Sequence, residues 1–191
     1  MVDTVRTISA LKALLADNAA GDISPQDLRD VLVSVAANTG WAQYSDTVYT
    51  SGSPLALVAD TNTVLPNNAG TVIDTHKPPD VSSFYAGGKI TGRNGDSLVI
   101  TIDFVALPTS VNTTYLDVWF DIGGSIGELY RRVISFPKGN GVARPIGFTA
   151  MVYTLDTWQA NGATVKVRAN GSAGIYDIRY VIARVHRGSQ T

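Results

Sequence analysis

The period of the apolar residues changes once along this chain, near residue 40, and that change limits what the chain can fold into. After Trp41 the period is two. Leu98, Ile100, Ile102 and Phe104 alternate with Val99, Thr101, Asp103 and Val105, while Leu116, Val118, Phe120 and Ile122 alternate with Tyr115, Asp117, Trp119 and Asp121. Successive side chains of an extended backbone point to opposite faces, so each run predicts a strand with one buried face. Ala163–Ala169 alternates in the same way, and Tyr44–Tyr49, Leu55–Val58, Ser82–Ile90, Leu129–Phe136 and Ile146–Tyr153 are weaker strand candidates. Asn94-Gly95, Gly139-Asn140-Gly141, Asn161-Gly162 and Asn170-Gly171 fall between the runs, where residues that tolerate positive φ make tight reversals. About eight to ten short strands in roughly 150 residues predict a β-sandwich or jelly roll. Leu55–Pro79, rich in Asn, Thr, Pro and Gly, predicts long loops with short edge pieces.

Before residue 40 the period is helical. Ile8, Leu11 and Leu15 share one helix face over about Thr7–Ala16, with Asp17, Asn18 and Gly21 as its stop. Ser24, Pro25 and Asp27 supply the cap, the first position and the capping-box acid of a second helix. Its apolar stripe is Leu28, Val31, Leu32, Val35 and Ala36. Helices this short are marginal in isolation, because nucleation is costly, so each needs a surface to lie against. The expected organisation is a helical segment over residues 1–40 and one β domain over 41–191. The fold class is mainly β, a jelly-roll/β-sandwich domain preceded by two short N-terminal α-helices.

The last strand, Ile175–His186, is apolar on both faces: Tyr176, Ile178, Tyr180 and Ile182 on one, Val181, Ala183 and Val185 on the other. A strand of this kind is covered on both sides. It is either a central strand shielded by a loop or one whose outer face meets a neighbouring subunit.

Charge excludes several partner classes. Lys and Arg number 15 against 16 Asp and Glu, and the only adjacent basic pair is Arg131-Arg132, so no basic stripe exists to displace counterions from a nucleic acid. Of the acidic residues only Glu128 is Glu, and Asp suits turns and caps better than helix interiors. Without Cys, neither disulfides nor thiolate metal sites are available. Lys12 interrupts the apolar run Ile8–Leu15, so no signal-peptide core is expected, and no segment reaches membrane-spanning length.

Catalytic motifs are equally sparse. His76 and His186 are too far apart in sequence for a metal-ligand pattern, and no metal or other cofactor is implied. Gly123-Gly124-Ser125-Ile126-Gly127 matches G-x-S-x-G, but a strand follows it where a hydrolase elbow needs a helix, so it reads as a glycine-rich hairpin connection. Asp103, Asp117 and Asp121 are expected on solvated outer strand faces. Tyr44, Tyr49, Trp119, Tyr130, Tyr153 and Trp158 are expected as exposed aromatics, each serving either packing or stacking on a sugar ring.

The segment Thr7–Val35, TISALKALLADNAAGDISPQDLRDVLVSV, resembles one near the start of tailed-phage and prophage virion proteins, above all in ALLADN and ISPQDLRD. The remainder, from GWAQYSDTVYTSGSPLAL to YDIRYVIARVH, is similar in architecture to the C-terminal jelly roll of phage head-fibre, decoration and receptor-binding proteins, with a tumour-necrosis-factor-like fold. The resemblance implies a non-enzymatic homotrimer in the virion, made in the host cytoplasm and bound to other capsid or tail proteins. Ile8, Leu11, Leu15, Leu28, Val31, Leu32 and Val35 are the expected anchoring residues. Tyr176, Ile178, Tyr180, Val181, Ala183 and Val185 are the expected subunit interface. Host surface glycans are a further expected partner; nucleic acid and membrane insertion are not. Two other classes stay open: a polysaccharide-degrading enzyme and a free carbohydrate-binding module. A tail-fibre location is the alternative to the head.

Overall fold

The computed structural model describes residues 4–6, 8–15, 23–136 and 141–188. Each long alternating run is a strand, and the chain orders its elements as α1 (Ile8–Leu14), α2 (Pro25–Ala36), β1 (Gly40–Ser45), β2 (Leu55–Leu57), β3 (Thr63–Val64), β4 (Thr71–Ile73), β5 (Tyr85–Ala86), β6 (Lys89–Ile90), β7 (Ser97–Pro108), β8 (Tyr115–Asp121), β9 (Glu128–Ser135), β10 (Arg144–Tyr153), α3 (Asp156–Asn161), β11 (Thr164–Ala169) and β12 (Ala173–His186). Thr7 and Ala16, the expected ends of the first helix, and its stop at Asp17, Asn18 and Gly21 lie outside the described residues, as do Gly139 and Asn140.

Two antiparallel sheets form the sandwich. One runs β10-β7-β12-β1-β4, with β2 pairing the start of β12, and the other runs β3-β11-β8-β9. Ile100, Ile102 and Phe104 of β7 meet Leu116, Val118 and Phe120 of β8 in one core, joined by Val165 and Val167 of β11 and by Tyr180 and Ile182 of β12. The mainly β sandwich with short helices is the fold class that the two-residue period predicts.

Local chemistry moves several boundaries. Asp46 ends β1 early, because its Oδ1 accepts the amides of Val48 (2.8 Å) and Tyr49 (2.7 Å) in a side-chain turn. Ser82–Ile90 is reduced to the small β5–β6 hairpin, since Ser83 Oγ donates to the Tyr85 carbonyl (2.8 Å) instead of leaving that backbone to a ladder. Asn161-Gly162 is a helix end rather than a hairpin: Asn161 is the last residue of α3, and Gly162 has φ +67°.

Strand β8 departs most from its pattern, being buried on both faces. Asp117 and Trp119, expected on a solvated face, are 2% and 0% exposed. Long side chains from the flanking strands cover them: Arg131 pairs with Asp117 (2.6 Å) and lays its guanidinium 5.0 Å from the Trp119 ring centre, and Arg168 approaches Asp117 from β11 (3.5 Å). Arginine stems readily shield apolar surface in this way.

In β12 the alternation breaks at a bulge, where Asp177 and Ile178 together oppose Phe104 and Asp177 has φ +54°. One extra residue re-aims the strand. Ile175 and Ile178 consequently both point into the core, and Tyr176 does not share a face with Ile178, Tyr180 and Ile182 as its spacing predicts.

Candidate functional site

Helix α2 has the expected start. Ser24 Oγ accepts the Asp27 amide (3.2 Å) while Asp27 Oδ2 accepts the Ser24 amide (2.9 Å), closing a capping box ahead of Pro25. Its orientation is the reverse of an ordinary amphipathic helix. The buried residues are Asp30 and Ser34, and Leu28 (56%), Leu32 (61%) and Val35 (60%) are exposed beside Arg29 and Ala36.

Residues 4–6 hold that polar face. Asp30 Oδ1 accepts the Thr4 amide (2.9 Å) and the Gln26 side chain (2.7 Å), and Oδ2 accepts Nε of Arg6 (2.5 Å). The Arg6 amide donates to Ser34 Oγ (2.9 Å), which itself donates to the Asp30 carbonyl (2.5 Å). Every oxygen of the Asp30 carboxylate is thus engaged. The Thr4 amide first, then the Arg6 side chain, hold its pKa down at about 2.

The other end of α2 is fixed by β12. Arg184, 1% exposed, donates to the carbonyls of Ala37 and Asn38 (Nε to Asn38, 3.2 Å), where a cation also complements the helix dipole. The same guanidinium pairs with Asp80 (2.6 Å) and Asp96 (3.3 Å), and Arg93 and Arg187 join Asp80 at 2.8 and 3.2 Å. Burial opposes charge on Asp80, but its hydrogen bond to Arg184 and the three surrounding guanidiniums outweigh it and keep the pKa below the usual carboxylate value. Arg187 also donates to the Arg6 carbonyl (3.1 Å), linking both mounts.

Of the expected anchoring residues, the structure therefore gathers Leu28, Leu32 and Val35 on one outward stripe, with Val31 half-buried beside it. Leu11 is buried at 9% and Leu15 is 41% exposed; the side chain of Ile8 is outside the described residues. Sequence reasoning missed Arg6, Asp30, Ser34 and Arg184. The one available signal was Asp30 and Ser34, a polar i, i+4 pair on one face of the helix.

The expected interface residues on β12 divide between two faces. Ile178 and Tyr180 are core, with the Tyr180 hydroxyl donating to the Leu65 carbonyl (2.5 Å), and Tyr176 is half-buried. Val181 and Ala183 are half-buried on the outer face, and Val185 is 42% exposed. Cross-strand register extends this face into one apolar row, Met151, Val99, Ala183 and Trp41, spanning four strands. Thr149, Thr101, Val181 and Gln43 form the next row, and the Asp103–Arg179 ion pair (2.7 Å) lies in the third.

Ser125 and the two histidines singled out in the sequence lie on separate segments. Ser125 occupies the exposed turn joining β8 to β9, His76 stacks on Trp41 with ring centres 5.1 Å apart, and His186 is exposed at the end of β12. Asp121 pairs with Lys166 (2.5 Å). Among the described residues no group of three His, Cys, Asp or Glu is placed to hold a metal, and no helix is long and apolar enough to cross a membrane. Of the six aromatics expected at the surface, Tyr44, Trp119 and Trp158 are buried, Tyr49 is half-buried, and Tyr130 and Tyr153 are exposed.

No protein-family model matches the chain, and no curated protein matches it in sequence. Among solved structures it is similar to the PRD1 vertex protein, at 15% identity and a TM-score of 0.44 over 78% of this chain and 73% of that one. Eiger TNF from S. frugiperda is similar at 11% identity and a TM-score of 0.48, over 80% and 96% of the two chains. A chain of infectious bursal disease virus, Gx strain, is similar at 14% identity and a TM-score of 0.31, over 78% of this chain and 30% of that one.

Proposed function

We propose that this chain is a structural protein of a virion, a homotrimeric head-fibre or capsid-decoration protein without catalytic activity, attached through its N-terminal helices. The observation that carries this reading is the inverted mounting of α2. Asp30, Ser34 and Arg184 engage its polar face and its C-terminal end, and the stripe Leu28, Leu32 and Val35 is left facing outward. A fixed helix with an outward apolar stripe suits helix-in-groove docking, in which residues at i, i+4 and i+7 enter a partner's apolar groove. The partner is another protein of the particle, as the resemblance of Thr7–Val35 to virion proteins implies.

The outer row Met151, Val99, Ala183 and Trp41 supports association of copies of the β domain. Residues 41–191 then project from the particle and present their loops to host surface glycans, where many weak contacts add through effective concentration.

The test is incorporation into particles. A Leu28→Glu, Leu32→Glu double variant should fold with unchanged circular dichroism and be missing from purified virions, in which the wild-type chain is found by mass spectrometry. Normal incorporation of that variant overturns the anchoring role.

A further inference from the structure

The two sheets end side by side at β9 and β10, and among the described residues no further strand closes that seam. Along part of it the core is shielded, with the Arg132 guanidinium 6.0 Å from the Phe148 ring centre. Nearer α3 it opens into a groove of about 570 Å³, within the usual size range of ligand sites. Ile126, Leu129 and Leu155 line its walls with Tyr130 and Tyr153, and Trp158 lies among its lining residues.

Tyr130 is held there at a backbone cost. Opposite Trp119 the strand β9 carries two residues, Tyr130 and Arg131, and Tyr130 has φ +55°. A bulky residue in the left-handed region is strained, and such strain concentrates at ligand sites. The bulge re-aims the side chain. Its ring stands edge-on to Phe120, with centres 6.4 Å apart and planes at 75°, and stays 45% exposed. Tyr153, at the end of β10, is 63% exposed.

The polar groups define what fits. Trp158 is 2% exposed and has its indole N–H committed to the Ile90 carbonyl (3.1 Å), so it offers a ligand no donor. Thr157 and Asp156 add polar groups to the lining; Asp156 also accepts the Asn94 side-chain amide. The complementary ligand has an apolar face for the phenol rings and hydroxyls for those polar groups. Among the described residues Asp156 is the only charged one in the lining, which disfavours acidic ligands. We propose that this groove binds a pyranose ring of a neutral saccharide, with Tyr130 and Tyr153 as its stacking surfaces. The proposal rests on the glycan part of the functional reading above and is independent of the anchoring helix.

The experiment is titration of the full chain with cellohexaose, hexa-N-acetylchitohexaose and mannohexaose, followed by calorimetry and by methyl NMR of Ile126 and Leu155. At least one oligosaccharide is expected to bind saturably at millimolar concentration and to shift both methyl signals. Tyr153→Ala should weaken it about tenfold, as loss of a stacking residue does, while Tyr153→Phe retains it. Val133→Ala, on β9 with Tyr130 but outside the groove, should leave binding unchanged. The proposal is overturned if none of the three binds, if the groove takes only a hydrophobic dye, or if Val133→Ala weakens binding and Tyr153→Ala does not. Tyr153→Ala should still enter particles, so failure here and failure of the anchoring role give different results.

Discussion

Nε of Arg6 donates to Oδ2 of Asp30 at 2.5 Å, across 24 residues of chain, and this contact decides which side of α2 faces outward. An amphipathic helix ordinarily hides its apolar stripe. Here a buried carboxylate with three donors, from Thr4, Arg6 and Gln26 of its own helix, competes for the inner side, and leaving it unpaired there would cost more than exposing three aliphatic side chains.

The carboxyl of Asp30 links this mounting to pH. Its pKa is about 2 when folded and close to 3.8 when free, so the contact stabilises the fold fully above the free value and is lost as pH falls through the folded one. Protection of the α2 amides, measured against the intrinsic exchange rate at each pH, should therefore fall between about pH 4 and pH 2, ahead of protection in β7. Parallel acid profiles for α2 in wild type and in Asp30→Asn would contradict this.

Arg184 ties the helix to the sandwich, and its removal leaves Asp80 and Asp96 with one fewer guanidinium in a buried setting. Arg184→Met should lower unfolding stability by about 3 kcal/mol, the usual scale for breaking a buried ion pair. Urea denaturation measures this, and a loss below about 1 kcal/mol would mean that Arg93 and Arg187 suffice.

The outer row of the larger sheet predicts association. Ala183→Arg should reduce the light-scattering mass from the three chains of the proposed trimer to one, with the far-ultraviolet circular dichroism unchanged. An unchanged mass places the contact between copies elsewhere.

Leu32 separates stability from attachment. Because it is 61% exposed, Leu32→Glu should change unfolding stability by no more than about 0.5 kcal/mol, whereas Phe120→Ala in the core should cost about 3–5 kcal/mol. A large destabilisation by Leu32→Glu would show that the stripe is covered within the chain itself.

The strands, the capping box of α2 and the order of helices before strands were legible because period and cap chemistry are local: each is set by residues a few positions apart. The same locality made the two bulges invisible, since Tyr130 and Asp177 are displaced by pairing with partner strands and not by their neighbours in sequence. It also hid the groove, whose two tyrosines come from separate edge strands.

By itself, then, the sequence determined that this chain has amphipathic helices ahead of a β-sandwich, and which residues are apolar on each element. Tertiary structure decided where those faces point. Asp117 and Trp119 are covered by arginines from neighbouring strands, and α2 turns its stripe outward because Arg6 and Arg184, 24 and 147 residues from their partners Asp30 and Ala37, satisfy polar groups that only the folded chain brings within reach. Hydrophobic burial is nondirectional and yields to alternatives of similar area, whereas a buried charge or carbonyl demands a particular partner in a particular place.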